Sequence, residues 1–321
     1  MLFNLVTMIR VVVVGARRRR QGLGAFVARF FSEVGAEVCG VVGTSQKSAE
    51  EAAAALLSNF GLQTRAYGDL AEALTAERPD AVAICSPYEL HREHLAITAN
   101  AGCHCLCEKP LWWEANVDER AARTTEIAAE FERRKLNLTL LSQWPYTLPG
   151  FYSLYPDLEG RTVESFRMEL GPVSHGATMI LDAAPHALSM LQHLLGSGVI
   201  VDYTPRYLNR DRTDVELHFG YQHTSGTAEV ICNFKTTPEA PRPAAYALNG
   251  HGVQRQIHMS NYELFLEAIH GQTKGTKIKI SDPLGLIVED FARKVTRQEL
   301  GQPQALTEGV ALLEVLYEGA R

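Results

Sequence analysis

Asp182 and His186 lie four residues apart in LDAAPHALSMLQHLL, which puts both side chains on one face of a helix, one turn from each other. Ser189 and His193 continue that polar stripe, while Leu181, Leu188, Leu191 and Leu195 fill the apolar face beside it. A carboxylate within reach of an imidazole is an arrangement for moving protons near neutral pH. The imidazole serves as general base, and the carboxylate orients the ring and supports its charged form. The same letters also describe a partly exposed helix with Asp182 as N-cap and Pro185 in the first turn, where N–H groups lack helical partners. On the residues alone both readings stand.

A second group of candidates falls in the N-terminal half. A β-branched run leads directly into GARRRRQGLG, where Gly15, Gly22 and Gly24 permit a tight turn and a close backbone approach to a pyrophosphate at a helix N-terminus. Gly15, Ala16, Arg17, Gly22 and Leu23 are the phosphate-side residues of that reading. The spacing departs from G-x-G-x-x-G, and a surface turn with a solvated basic run fits the same letters. The next strand ends in VVGTSQKS, which has no acidic residue to accept from a ribose 2′-OH. Gly43, Thr44, Ser45 and Lys47, helped by one of Arg17 to Arg20, can instead surround a 2′-phosphate, so NADP(H) is expected in preference to NAD(H). Thr44 or Ser45 can also cap the helix that follows, and the two roles are compatible.

Lys109 closes a further strand candidate, at the carboxyl end where open α/β sheets bind their ligands, although a salt-bridged surface lysine fits there too. Cys103, Cys105 and Cys107 alternate along the same strand. Without a second pair of ligands they read as packed thiols, and no metal site is expected.

The elements that must position these groups follow from periodicity. Strands are expected at Ile9 to Val14, Glu37 to Val42, Thr64 to Tyr67, Ala81 to Cys85, Cys103 to Cys107 and Asn137 to Leu141. Between them, apolar residues recur at helical spacing over Phe26 to Val34, Ser48 to Phe60, Asp69 to Glu77, His91 to Ala101 and Val117 to Lys135. This alternation predicts βαβ units and a doubly wound parallel sheet of Rossmann type. After WPYTLPGFYSLYPDLEG the pattern changes to a strand (Thr162 to Leu170), a helix (Asp182 to Leu195) and strands at Val199 to Tyr207, Asp214 to Tyr221, Thr227 to Phe234, Ala244 to Leu248 and Gln254 to His258. Short connections between them predict an α+β domain with a mainly antiparallel open sheet. Helices over Asp282 to Gln298 and Thr307 to Tyr317 close the chain. The expected division is a dinucleotide-binding domain over 1–145 and a substrate-binding, dimer-forming domain over 146–321.

A chain of 321 residues that is 46% apolar is long enough for two cores, and a net charge of −6 argues against a general nucleic-acid binder. The six cysteines lie mostly in apolar runs and read as reduced thiols of a cytoplasmic protein. The opening MLFNLVTMIRVVVV has the look of a signal peptide, but Arg10 interrupts it and no small-residue cleavage site follows, so Met1 and Met8 both stand as start sites. No stretch has the apolar length needed to span a bilayer, and no membrane partner is expected.

The segment SPYELHREHLAITANAGCHCLCEKPLWW, with the N-terminal half and LDAAPHALSML, resembles the glucose-fructose oxidoreductase, inositol dehydrogenase and MocA family, Gfo/Idh/MocA. That family carries a Ser/Thr-Pro turn, a histidine, an Ala-Gly pair and then Glu-Lys-Pro, matched here by Ser86, Pro87, His91, Ala101, Gly102, Glu108, Lys109 and Pro110. Its Asp-x-x-x-His motif falls on Asp182 and His186, with Ser189 where relatives often have Asp. The resemblance implies an NAD(P)-dependent dehydrogenase or reductase acting on a sugar, polyol or related hydroxy or keto small molecule. It makes Lys109 a contact of both cofactor and substrate oxygen, Pro110 a cis proline, and Ser86, Pro87, His91 and Glu108 members of the cofactor site. His186 becomes the base, Asp182 its tuning partner, and a homo-oligomer is implied. Two alternatives keep parts of this picture. One is an imine or keto-intermediate reductase of secondary metabolism, suggested by Ser189, by Trp112, Trp113, Trp144 and Tyr146, and by the short second domain. The other is a non-catalytic dinucleotide sensor, which would have no use for Lys109, Asp182 and His186.

Overall fold

The computed structural model describes residues 8–17, 22–258 and 263–321. The opening seven residues and Arg18 to Arg20, on which the readings of the start site and of a further phosphate-binding arginine partly rest, lie outside the described residues. The chain forms two compact units, one running up to Leu141 and taking in Leu284–Thr307, the other comprising Ser142–Pro283 and Glu308–Arg321. The boundary expected at 145/146 thus falls four residues past Leu141, and a contiguous division does not provide for the return of Leu284–Thr307 to the first unit.

In the first unit six strands alternate with helices: β1 (Arg10–Val14), α1 (Gly24–Glu33), β2 (Glu37–Val42), α2 (Gln46–Phe60), β3 (Arg65–Tyr67), α3 (Leu70–Glu77), β4 (Ala81–Ile84), α4 (His91–Asn100), β5 (His104–Glu108), α5 (Arg120–Arg133) and β6 (Leu138–Leu141). All pair in parallel, in the order β3-β2-β1-β4-β5-β6, so the winding reverses between β1 and β4. This is the doubly wound arrangement, with its ligand crevice expected at the carboxyl ends beside that reversal. β1 and β4 read as unbroken small and β-branched apolar runs because helices cover both faces, and each of Val11, Val12, Val13, Ala81, Val82, Ala83 and Ile84 is 0% exposed.

At the opposite, amino edge of the sheet, Glu77 ends α3 almost fully buried. Its carboxylate accepts from Tyr67 Oη, from Arg65 at 3.0 Å and from Arg10 at 2.9 Å. Burial opposes its ionisation, but the Tyr67, Arg65 and Arg10 donors outweigh burial and hold its pKa below the usual carboxylate range. A depressed folded-state pKa stabilises the fold above the unfolded value, and this stabilisation is lost as pH falls through the folded one. Glu77→Gln is therefore expected to cost about 1–3 kcal/mol at neutral pH. The Tm gap between parent and variant should close below about pH 4. A gap unchanged across an acid titration followed by thermal melts would show that the carboxylate charge contributes nothing.

The second unit contains α6 (Leu148–Leu154), β7 (Ser165–Leu170), α7 (Thr178–Leu195), β8 (Gly198–Tyr207), β9 (Asp214–His223), β10 (Gly226–Lys235), β11 (Ala244–Leu248), β12 (His251–His258), β13 (Glu263–Ala268) and β14 (Lys277–Ile280). Two helices follow, α8 (Pro283–Thr296), almost all of which belongs to the first unit, and α9 (Pro303–Gly319), which runs from the first into the second. The eight strands form one sheet in the order β14-β13-β12-β11-β7-β10-β9-β8, antiparallel except for the β7–β10 pair. Alternation sorts the faces: Val215, Leu217, Phe219 and Tyr221 of β9 and Ala228, Val230, Cys232 and Phe234 of β10 are buried, while His218, Gln222, Thr227 and Glu229 between them are exposed. β13 and β14 lie beyond the strands expected from periodicity. α6 occupies what reads as a Pro- and Gly-rich connection, packing so closely on β13 and β14 that a Cβ on Gly150 would stand 2.7 Å from Ile280 and 2.9 Å from Leu266.

Candidate functional site

The β1–α1 turn is built by glycine. Gly15 has φ +83°, and a Cβ there would meet the Cys85 carbonyl oxygen at 2.5 Å; a Cβ on Gly24 would meet the Gly15 carbonyl oxygen at 2.5 Å. The two glycines let the start of α1 close against the end of β1 and the end of β4, leaving backbone rather than side chains at the turn. Gly24 belongs with the candidate residues for this reason. Gly22 and Leu23 precede α1 and are half-buried, and Ala16 is 2% exposed. Arg17 extends from this turn to α2, where it pairs with Glu51 at 2.6 Å.

At the end of β2, a Cβ on Gly43 would stand 2.4 Å from Ser48 Oγ, so the turn into α2 also requires glycine. Ser45 caps α2: its Oγ accepts from Ser48 N at 3.2 Å while Ser48 Oγ accepts from Ser45 N at 3.0 Å. Capping by Ser45 is thus realised. Thr44, Ser45 and Lys47 are exposed, and the first turn of α2 carries no acidic residue. A helix N-terminus with hydroxyls, a lysine and no carboxylate suits a phosphate.

Ser86, Pro87, Glu108 and Lys109 leave β4 and β5 at the carboxyl edge. Ser86 is 9% exposed, Pro87 is exposed, and Glu108 and Lys109 are half-buried. The Lys109–Pro110 peptide is cis, as the resemblance implied. His91 differs from its expected place in a cofactor surface, being 1% exposed with its ring nitrogens turned to backbone carbonyls: Nε2 lies 2.7 Å from Ser86 O, and Nδ1 lies 3.1 Å from both Pro110 O and Leu111 O. It sits beneath the site and supports it. Cys103, Cys105 and Cys107 are buried thiols, as are Cys39, Cys85 and Cys232. Burial pushes Cys85, Cys105 and Cys107 well above the ordinary thiol range.

In the second unit α7 starts at Thr178, one turn before the expected Asp182, so Asp182 is no N-cap and Pro185 is interior. Asp182 instead accepts from Ser174 Oγ, and Ser174 O accepts from Thr236 Oγ1 at 2.7 Å at the end of β10. His186 packs edge-on against Trp144, ring centroids 6.2 Å apart. Ser189 Oγ donates to His186 O at 2.9 Å and lies 2.6 Å from Ser142 Oγ.

Residues 9–136 match the oxidoreductase family with an NAD-binding Rossmann fold, designated GFO_IDH_MocA. This N-terminal domain is that of the Gfo/Idh/MocA oxidoreductases. Among relatives, D-xylose 1-dehydrogenase (NADP(+)) 2 of Haloferax volcanii is 27% identical over 241 residues, 64% of this chain and 72% of that one. D-glucoside 3-dehydrogenase of Escherichia coli is 41% identical over 58 residues, a match spanning 18% of this chain and 16% of that protein. The fold is shared over 98% of both chains with KijD10, a 3-ketoreductase from Actinomadura kijaniata crystallised with NADP, at a TM-score of 0.72 and 18% identity.

The tryptophans do not form an exposed aromatic surface. Trp112, Trp113 and Trp144 are 0%, 1% and 2% exposed. Trp112 Nε1 donates to Thr124 at 2.9 Å, and the Arg120 guanidinium lies 4.2 Å from the Trp113 ring centre. They belong to the cores, which removes one support from the reading of a less polar substrate. Among the described residues no cluster of His, Cys, Asp and Glu is arranged to hold a metal, and no helix is long and apolar enough to cross a membrane.

Proposed function

We propose that this protein is an NADP(H)-preferring dehydrogenase or reductase of a sugar, polyol or related hydroxy or keto compound. His186 handles the proton of the reacting oxygen and Lys109 its developing charge. The observation that carries this reading is the surface of α7. From Met179 to Leu191 every residue is buried except Asp182, His186 and Ser189, so the helix opens only a polar stripe containing an acid–base pair. A helix that only packed would gain stability from apolar residues at these positions. The relatives named for xylose and glucoside oxidation support a carbohydrate-like substrate.

The glycine-built turn at Gly15 and Gly24, with Ala16, Arg17, Gly22 and Leu23, fits a pyrophosphate, and Ser86, Pro87, Glu108 and Lys109 line the same carboxyl edge. A bound nicotinamide supplies the hydride acceptor for oxidation or the donor for reduction. His186 accepts the hydroxyl proton as the carbon–hydrogen bond breaks, and returns it in the reverse direction. Asp182 favours the imidazolium so formed, and the Lys109 ammonium donates to the same oxygen and stabilises alkoxide character. The test is a panel of sugars, polyols and ketoses with NADP+ or NADPH. Turnover on carbohydrate-like members supports the proposal, and turnover confined to imines or apolar ketones overturns the substrate class.

Cofactor choice is tested separately. Thr44, Ser45, Lys47 and Arg17 are expected to favour NADPH over NADH by about ten-fold or more, the scale of one charge-assisted hydrogen bond. Thr44→Asp should narrow or reverse that ratio in fluorescence titrations, because a carboxylate repels a 2′-phosphate and accepts from a 2′-OH. Parent protein binding NADH as tightly as NADPH would refute this role for the loop.

A further inference from the structure

Two histidines of α4 converge on one serine. His91 and His94 stand three residues apart at the start of the helix and so share a face. His91 Nε2 reaches the carbonyl oxygen of Ser86 at 2.7 Å, while His94 Nδ1 lies 3.0 Å from the hydroxyl of the same residue. The other edge of the His91 ring faces Pro110 O and Leu111 O, each at 3.1 Å, and Cys107 Sγ at 3.5 Å. One imidazole thus spans the exits of β4 and β5, joining the Ser86–Pro87 turn to the backbone directly after Lys109. Burial lowers the pKa of both rings and favours their neutral forms. A neutral His91 carries one ring N–H, so it donates at one edge, to Ser86 O through Nε2 or to the Pro110 and Leu111 carbonyls through Nδ1, and packs against the other. The link is tightened from outside, where Arg92 pairs with Glu114 and Trp113 N donates to Tyr88 O at 3.4 Å.

We propose that His91 and His94 are positioning residues for the dinucleotide: a two-histidine clamp on α4 that fixes Ser86 by its carbonyl and its hydroxyl and holds it in register with Lys109. This rests on the cofactor reading above. His94 acts on the hydroxyl alone and is only half-buried, so its replacement perturbs the clamp with little effect on the core. His91 acts on both exits.

The experiment measures NADPH dissociation constants by fluorescence and Tm on the intact protein for the parent, His94→Leu, His94→Asn and His91→Gln. His94→Leu is expected to weaken NADPH about three- to ten-fold, the scale of one lost hydrogen bond, with Tm close to the parent value. His94→Asn places its amide oxygen where Nδ1 stood and should restore most of the affinity, a rescue that a purely structural role would not produce. His91→Gln keeps an amide donor toward Ser86 O but loses the rigid ring packed between Ser86 and the Pro110–Leu111 backbone, and should bind more weakly than the parent at whatever Tm it shows. Parent binding with unchanged affinity in folded His94→Leu and His91→Gln overturns the clamp, and so does equal weakening by His94→Leu and His94→Asn. A parent that binds neither NADPH nor NADH overturns the cofactor reading itself, and the clamp with it.

Discussion

His186→Ala is expected to lower turnover by about 10²- to 10⁴-fold while NADPH affinity stays near the parent value. The loss is large because the half-open stripe of α7 offers no second imidazole within a turn of His186. Asp182 is engaged by Ser174, and Ser189 by Ser142 and the His186 carbonyl. Alanine in a helix costs nothing in propensity, so the variant should fold. Added imidazole should return part of the activity, since the defect is a missing proton acceptor. Steady-state kinetics on the active member of the substrate panel, with a parallel NADPH titration, measures both quantities. Wild-type turnover in His186→Ala would remove His186 as the base and leave Lys109 or a bound water as candidates.

Lys109→Ala is expected to be at least as damaging, and to differ in kind. Removing the ammonium takes away the stabilisation of charge on the reacting oxygen, an effect typically worth about 10²- to 10³-fold, and it also weakens NADPH. The two losses should appear together, a fall in kcat and a rise in the NADPH dissociation constant, whereas His186→Ala shows only the first. Lys109→Arg should rescue poorly, because a planar fork cannot replace a compact point charge at a half-buried position. A Lys109→Ala variant with unaltered NADPH affinity would confine the lysine to the substrate side.

The parallel sheet was legible because β1, β2, β4 and β5 are short apolar runs separated by amphipathic helices, and their bounds differ from expectation by one residue at most. Burial of individual polar groups was less so. His91 reads in the sequence as a motif residue beside Ser86 and Pro87. Only the packing of α4 under β4 and β5 shows that its ring is enclosed and turned to carbonyls. Trp112 and Trp113 next to Glu-Lys-Pro invite an aromatic-site reading for the same reason, that adjacency in sequence does not fix which side of a strap faces the core. Asp182 resembled an N-cap because Asp followed by Pro three residues on is a good helix start. The apolar triplet Met179 to Leu181 before it, all buried, carried the opposing signal. β13 was missed although Leu264, Leu266 and Ala268 alternate inward, since six residues give little periodicity to weigh against turns on either side.

The return of α8 to the first unit sets an order of assembly. Phe30 and Phe31 on α1 are closed over by residues from the far end of the chain: a Cβ on Gly285 would come within 2.9 Å of the Phe30 ring, and Phe291 meets Phe31 edge-on with centroids 6.1 Å apart. On a ribosome adding roughly 5–20 residues each second, the stretch between the two phenylalanines takes on the order of ten to fifty seconds to emerge. For that interval the sides of Phe30 and Phe31 that Gly285 and Phe291 cover stay open. A fragment cut at Leu141 would keep that exposure permanently.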